Sequence, residues 1–519
     1  MRLFVLALLF LTVACNTSQK TVTPITVVNS ETKDPIPFAQ TITEAELKAH
    51  LFVYASDAFL GRETGAPGQK EAVRYLKAYY DSLGIPAAQQ NGNYFQKVPL
   101  SMNKVPSGQI TVNGSNFELG KDFLTFSQAV GSFQEVVYVG YGIEEGDYSD
   151  YKNIEVKDKI VLMKFGEPQN EDGNYQISGT KKKSAWSNVS EAIDKRVKLA
   201  NTKGAKGILY YDPANFSRYQ QYFNFMKASD HGKMQLKNES REDVLVLLNE
   251  NIIDILYPEL RQKDTPQNIS AAIEFAIKSP DDGLSSENVI AFLEGSQKPE
   301  EYVVISSHLD HIGVTTKGAI NNGADDDGSG TVAMLEIAEA FKEATNNGYR
   351  PKRSIVFLHV TGEEKGLLGS KYYTDYDPVF PLEHTIANLN IDMIGRIDPK
   401  RDGMRNYIYL IGSDKLSTEL HQLSEAVNAQ YCQIELDYTY NDKNDPNRFY
   451  YRSDHYNFAK NNIPVIFYFN GTHADYHQPS DTPDKINYDL LQNRAQLIFY
   501  TAWELANRSE RIKVDKVTP

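Results

Sequence analysis

The chain has 519 residues, 41% apolar and 24% charged, which are the proportions of a folded protein, and its length points to two domains. Lys and Arg number 54 against 68 Asp and Glu, a net charge of −14 that argues against nucleic acid or an anionic membrane surface as a partner. Two cysteines leave little scope for disulfides, so stability must come from the core and from any bound metal.

Residues 1–15, MRLFVLALLFLTVAC, read as an export signal: Arg2 supplies the charge, and the apolar run is too short to span a bilayer comfortably. Ala14-Cys15 resembles the small-residue-then-cysteine box of bacterial lipoproteins. That resemblance implies lipidation at Cys15, membrane contact through this anchor alone, and a place in the bacterial cell envelope or periplasm. An ordinary cleaved signal that ends in Cys is the alternative. Residues 16–40, polar and rich in Thr and Pro, read as a linker. Residues 41–125 form the first part of a domain that resumes at 286. Two helices are expected there, joined by a Gly-containing loop. Gly84 is placed to end the second, and Arg62 and Glu63 suit a local ion pair in the loop.

Between 126 and 285 short β-rich runs, Val136–Tyr141, Ile160–Lys164 and Ile208–Tyr211, surround a helical stretch near 190–202. Their order and texture resemble the protease-associated (PA) domain, a small module inserted into several exopeptidase families. The aromatic residues Tyr219, Tyr222, Phe223 and Phe225 read as core or lid packing, and His231 as a surface residue.

From 286 to 510 strands alternate with helices, the pattern of a mostly parallel mixed sheet sandwiched by helices, so the fold class is α/β with a smaller inserted domain. Strands are expected at 289–293, 302–305, 354–360, 386–390 and 463–469, and a helix at 331–344 with Ser329 as N-cap. Ligands in such sheets gather where strands end at their carboxyl edge. There stand His308, then Asp325-Asp326-Asp327 in the following loop, then Glu363-Glu364, Asp392 and His477. Three adjacent carboxylates repel one another unless a cation is near. Hard oxygen ligands with imidazoles suit a divalent metal such as zinc. Ser453-Asp454-His455 could suggest a hydrolase triad, but triad members are usually far apart in sequence, and a structural loop is the better reading. His359 falls within an apolar strand and reads as a core residue, while His311 and His473 flank the ligand motifs.

The order HxD, GADDDGSG, GEE, NIDM, YHQPSD resembles the co-catalytic dizinc aminopeptidases, a family that also contains glutamate carboxypeptidases and glutaminyl cyclases. The resemblance covers about 43–125 and 286–507. It implies two zinc ions per chain, with His308 and Asp392 on one, Glu364 and His477 on the other, and Asp326 bridging both. It makes Glu363 the general base that takes a proton from the attacking water. Asp310 would accept a hydrogen bond from the far nitrogen of His308, and Tyr476 would stabilise the oxyanion. The implied activity is release of N-terminal residues from peptides. A carboxypeptidase of the same family is an alternative, because Arg396, Arg448 and Arg452 lie near the motifs and could hold a terminal carboxylate. A surface lipoprotein that captures peptides without cleaving them is another.

Overall fold

The computed structural model describes residues 34–189, 191–229, 233–237, 244–278, 283–401 and 403–517; the expected export signal, Cys15 and His231 lie outside them. Nine strands form the larger sheet, in the order Lys233–Leu236, Phe95–Asn103, Ser285–Leu293, Arg353–Val360, Lys298–His308, Thr385–Ile391, Val465–Phe469, Tyr407–Ile411, Glu435–Asp437. The four strands at 353–360, 298–308, 385–391 and 465–469 are consecutive neighbours and mutually parallel, while the flanks turn antiparallel. The expected mostly parallel sheet is thus this central group.

These central strands are apolar on both sides because both sides are covered. Val303, Ile305, Ile355 and Phe357 face a core formed with the long helices Glu44–Tyr54, Pro67–Leu83, Gly330–Asn346 and Tyr488–Asn507. Their alternating neighbours Val304, Val356, Leu358 and Val360 pack on the other side against Tyr373, Phe458 and Phe449. Parallel strands share a direction, so four carboxyl ends open at one edge of the sheet. Gly84 ends its helix in the left-handed conformation at φ 63°, as expected.

The second sheet has eight strands, in the order Ser115–Glu118, Ser107–Val112, Gln267–Lys278, Ala129–Tyr138, Ile160–Lys164, Gly207–Tyr211, Val244–Leu248, Phe123–Leu124. Helix Ala192–Thr202 packs on one face and Glu250–Leu256 on the other, giving this unit its own core. It begins at Ser107, ahead of the expected boundary at 126, because the polar, exposed residues of its first hairpin carry little apolar periodicity. Its excursion also lends the strand Lys233–Leu236 to the edge of the larger sheet, against Phe95–Asn103. Residues Ile36–Ala39, assigned above to the linker, form a helical turn that buries Phe38. Among the described residues no helix is long and apolar enough to cross a membrane.

Ser329 does not cap its helix. Its own backbone is helical already (φ −63°, ψ −44°), and its hydroxyl donates to the Asp325 backbone carbonyl at 2.9 Å. The Arg62–Glu63 pair is absent as well. Arg62 is buried over the Tyr54 ring and donates to the carbonyls of Asn322 (2.6 Å) and Gly323 (2.8 Å), whereas Glu63 pairs with Lys365 at 3.0 Å. In the aromatic group at 219–225 Phe223 is buried, while Tyr222 and Phe225 are exposed.

Candidate metal centre

His308 is the last residue of its strand and is buried. Its Nδ1 lies 3.0 Å from the backbone carbonyl of Asp310, which can only accept, so Nδ1 carries the proton and Nε2 is directed inward. Asp310 therefore acts on this ring through its main chain. Its carboxylate is 4.0 Å away and accepts instead from the Thr64 hydroxyl (2.7 Å) and the Glu363 amide (3.2 Å). The chain leaves the extended conformation after His308, which turns the Asp310 side chain away from the side expected for a strand.

His308 Nε2 stands 3.1 Å from Asp326 Oδ1 and 3.5 Å from Asp392 Oδ1. The other oxygen of Asp326 lies 3.1 Å from His477 Nε2, and that nitrogen is 3.2 Å from Glu364 Oε2. One carboxylate thus faces two histidines, one through each oxygen. Asp325 and Asp327 are held by bonds of their own. Asp327 accepts from the amides of His308, Gly330 and Met393; Asp325 accepts from the Gly395 amide, Asn470 and His473. These bonds tie the Asp-rich turn to the segments at 308, 393 and 470. Asp392 Oδ2 accepts from Ser453 at 2.6 Å, and Asn390 donates to Ser453. His455 stacks on Phe467 and its ring nitrogens bond to nothing described, so the Ser-Asp-His run is no triad.

Burial raises the Asp326 carboxyl, yet the imidazoles of His308 and His477 beside it outweigh this and hold the group well below its usual range. Burial lowers His477, but Asp326 and Glu364 push it up to about 10. Glu363 is raised well above its ordinary value, first by burial and then by Glu364, Asp392 and Asp454, against the pull of His308. Its carboxylate has no hydrogen-bond partner among the described residues, and it lines an open cleft together with Asp326, Asp392 and Tyr476. The Tyr476 ring stacks on His477 at 3.9 Å and lines the same cleft, and its hydroxyl has no hydrogen bond among the described residues.

His311 stands one residue beyond the HxD motif. It is fully buried, with Nδ1 2.8 Å from Glu364 Oε1, the oxygen turned away from His477. Its amide donates to Arg62, and Gly323 (φ 55°) lets the loop pass so close that an added Cβ would lie 2.6 Å from the imidazole. No sequence spacing connects His311 to Arg62 or Glu364. His473 bonds Asp325, and His359 is a core residue bonded to Tyr80 at 2.8 Å.

The donor set fits a divalent metal. His308, Asp327 and Asp392 offer ligand atoms within 4.8 Å of one another, and so do His311, Asp326 and Glu364. His308 Nε2 and Glu364 Oε1 are buried without a hydrogen-bond partner among the described residues, as expected of atoms placed for a cation rather than for each other.

Residues 288–502 match Peptidase family M28. The chain is 27% identical over 327 residues to a probable aminopeptidase of Saccharomyces cerevisiae, covering 62% of this chain and 77% of that one. It is 33% identical over 106 residues to a probable glutamate carboxypeptidase of Arabidopsis thaliana, covering 20% of this chain and 14% of that one. A solved zinc aminopeptidase from Bacillus subtilis is 16% identical with a TM-score of 0.46, covering 92% of this chain and 98% of the other. The part of the chain that matches peptidase family M28, residues 288–502, carries every candidate metal ligand described above.

Proposed function

We propose that the chain is a zinc-dependent aminopeptidase that hydrolyses N-terminal residues from peptides. The observation that carries this reading is Asp326, whose two oxygens each meet a different histidine at 3.1 Å, with Asp392 beside one and Glu364 beside the other. His308, Asp392, Asp326, Glu364 and His477 would hold two zinc ions. Bound there, zinc supplies Lewis-acid polarisation of water and of the scissile carbonyl. Glu363, free of partners and raised in pKa, accepts the proton of the attacking water and returns it to the departing amine. The Tyr476 hydroxyl reaches into the cleft as a donor to the oxygen that gains charge. Asp310 keeps His308 in the tautomer that presents Nε2 and holds the Glu363 main chain in place.

Zinc-loaded protein should release free amino acids from unblocked peptides. Acetylating the amino terminus should stop the release, whereas amidating the carboxyl terminus should not. The opposite pattern would make it a carboxypeptidase, and no release from a broad panel would end the peptidase reading.

The second sheet is read as a protease-associated domain, supported by its β-rich texture and its position as an insertion. Cys15 is read as the lipidated first residue of an exported envelope protein, supported by the sequence before it. Labelled fatty acid should enter the wild type and not Cys15→Ala.

A further inference from the structure

The cleft beside the candidate ligands is lined by three carboxylates and by an apolar wall of Met393, Phe449, Phe467 and Phe469. Arg452 is the one cation among its lining residues. Its guanidinium lies 4.9 Å above the Phe449 ring, is exposed, and has no carboxylate within 4 Å and no hydrogen bond among the described residues. Arginines elsewhere in this acidic chain are engaged: Arg396 with Asp475, Arg401 with Asp437 and Glu435, Arg405 with Asp489. Arg448, the third arginine near the motifs, stacks on Tyr451 and lines a different hollow.

The position of Arg452 is fixed by its neighbours. Its amide closes the turn Phe449–Tyr451 by donating to the Phe449 carbonyl at 3.0 Å. The next residue, Ser453, is bonded to Asp392. The guanidinium is therefore stationed in the cleft of the proposed metal pair, over the Phe449 ring.

We propose that Arg452 selects substrates carrying a carboxylate next to the scissile bond, which its planar fork binds in preference to the isosteric amide. This rests on the peptidase reading. Two groups present that chemistry: an acidic side chain on the substrate's first residue, and the terminal carboxylate of a very short peptide. An apolar wall beside the fork suits the methylenes of such a side chain.

The test compares kcat/KM of the zinc-loaded protein for Glu-Ala-Ala-amide against Gln-Ala-Ala-amide, and for Ala-Ala against Ala-Ala-amide. Wild type should favour the acid over its amide by about tenfold or more in one arm, and that arm names the source of the carboxylate. In Arg452→Gln the ratio should collapse towards one, and Arg452→Lys should keep part of it, because lysine restores the charge without the fork. A merely structural loss would lower both members of a pair and leave their ratio intact. Equal rates for acid and amide in both arms with wild type, or a preference that survives Arg452→Gln, would overturn the proposal while leaving the peptidase reading standing. Absence of any hydrolysis would remove both.

Discussion

Two neighbouring glutamates show how little a side chain's identity says about its task. Glu364 is enclosed by His311 and His477, which hold its carboxyl below the usual range against burial and the Asp326 charge; Glu363 has no partner and is raised. One is arranged to stay ionised against a cation, the other to take a proton. Glu363→Gln keeps the shape and removes the base, so turnover should fall about 10²–10⁴-fold while zinc content, read by elemental analysis, stays at two per chain. His311 bears on Glu364 from behind: its Nδ1 lies 2.8 Å from Oε1, while Oε2 faces His477 at 3.2 Å. His311→Ala should weaken one of the two metal sites by about 10–100-fold in a cobalt titration followed by absorption, and leave the other site's affinity in place. Loss of both metals, or of neither, would show that His311 does not act through Glu364.

Among the elements, the loop 309–329 matters most, because it has almost no regular structure and yet holds the bridging carboxylate. Its order comes from outside. Arg62, some 260 positions away, bonds the carbonyls of Asn322 and Gly323, and Asp481 accepts from the amides of Asp325 and Asp326 at 3.0 and 3.2 Å. Buried carbonyls without donors cost about 1–3 kcal/mol each. Arg62→Ala should therefore destabilise the protein by roughly 3 kcal/mol in urea unfolding, and should also weaken zinc binding, although Arg62 touches no candidate ligand. Unchanged metal affinity in a folded Arg62→Ala protein would show that the loop holds itself.

Across the whole molecule, five candidate ligands come from four chain-distant places between 308 and 477, at or beyond the ends of strands of the larger sheet. The second sheet contributes none and has its own buried core. A metal pair would cross-link the larger sheet alone. Zinc at a thousandfold excess over its dissociation constant adds about 4 kcal/mol to the state that binds it. Chelation should thus lower the melting temperature of the larger unit by on the order of 10 °C and leave the transition of the inserted unit in place. A uniform downward shift would mean that the two units unfold together.

The sequence by itself determined the alternation of strands and helices, the buried central strands and the residues that crowd their carboxyl ends. Those signals are local: β-branched runs, helical spacing, and ligand types standing just past a strand. Its motif order also resembles one peptidase family, whose model residues 288–502 match. Only the tertiary structure decided where polar side chains far apart in sequence would meet. It put Arg62 on the 322–323 carbonyls, His311 behind Glu364, the Asp310 carboxylate on Thr64 and the Glu363 amide, and an unpaired Arg452 in the cleft. Each of these depends on chain crossings that no periodicity records. An exposed hairpin with little apolar patterning likewise hid the start of the second sheet until its strands were seen paired.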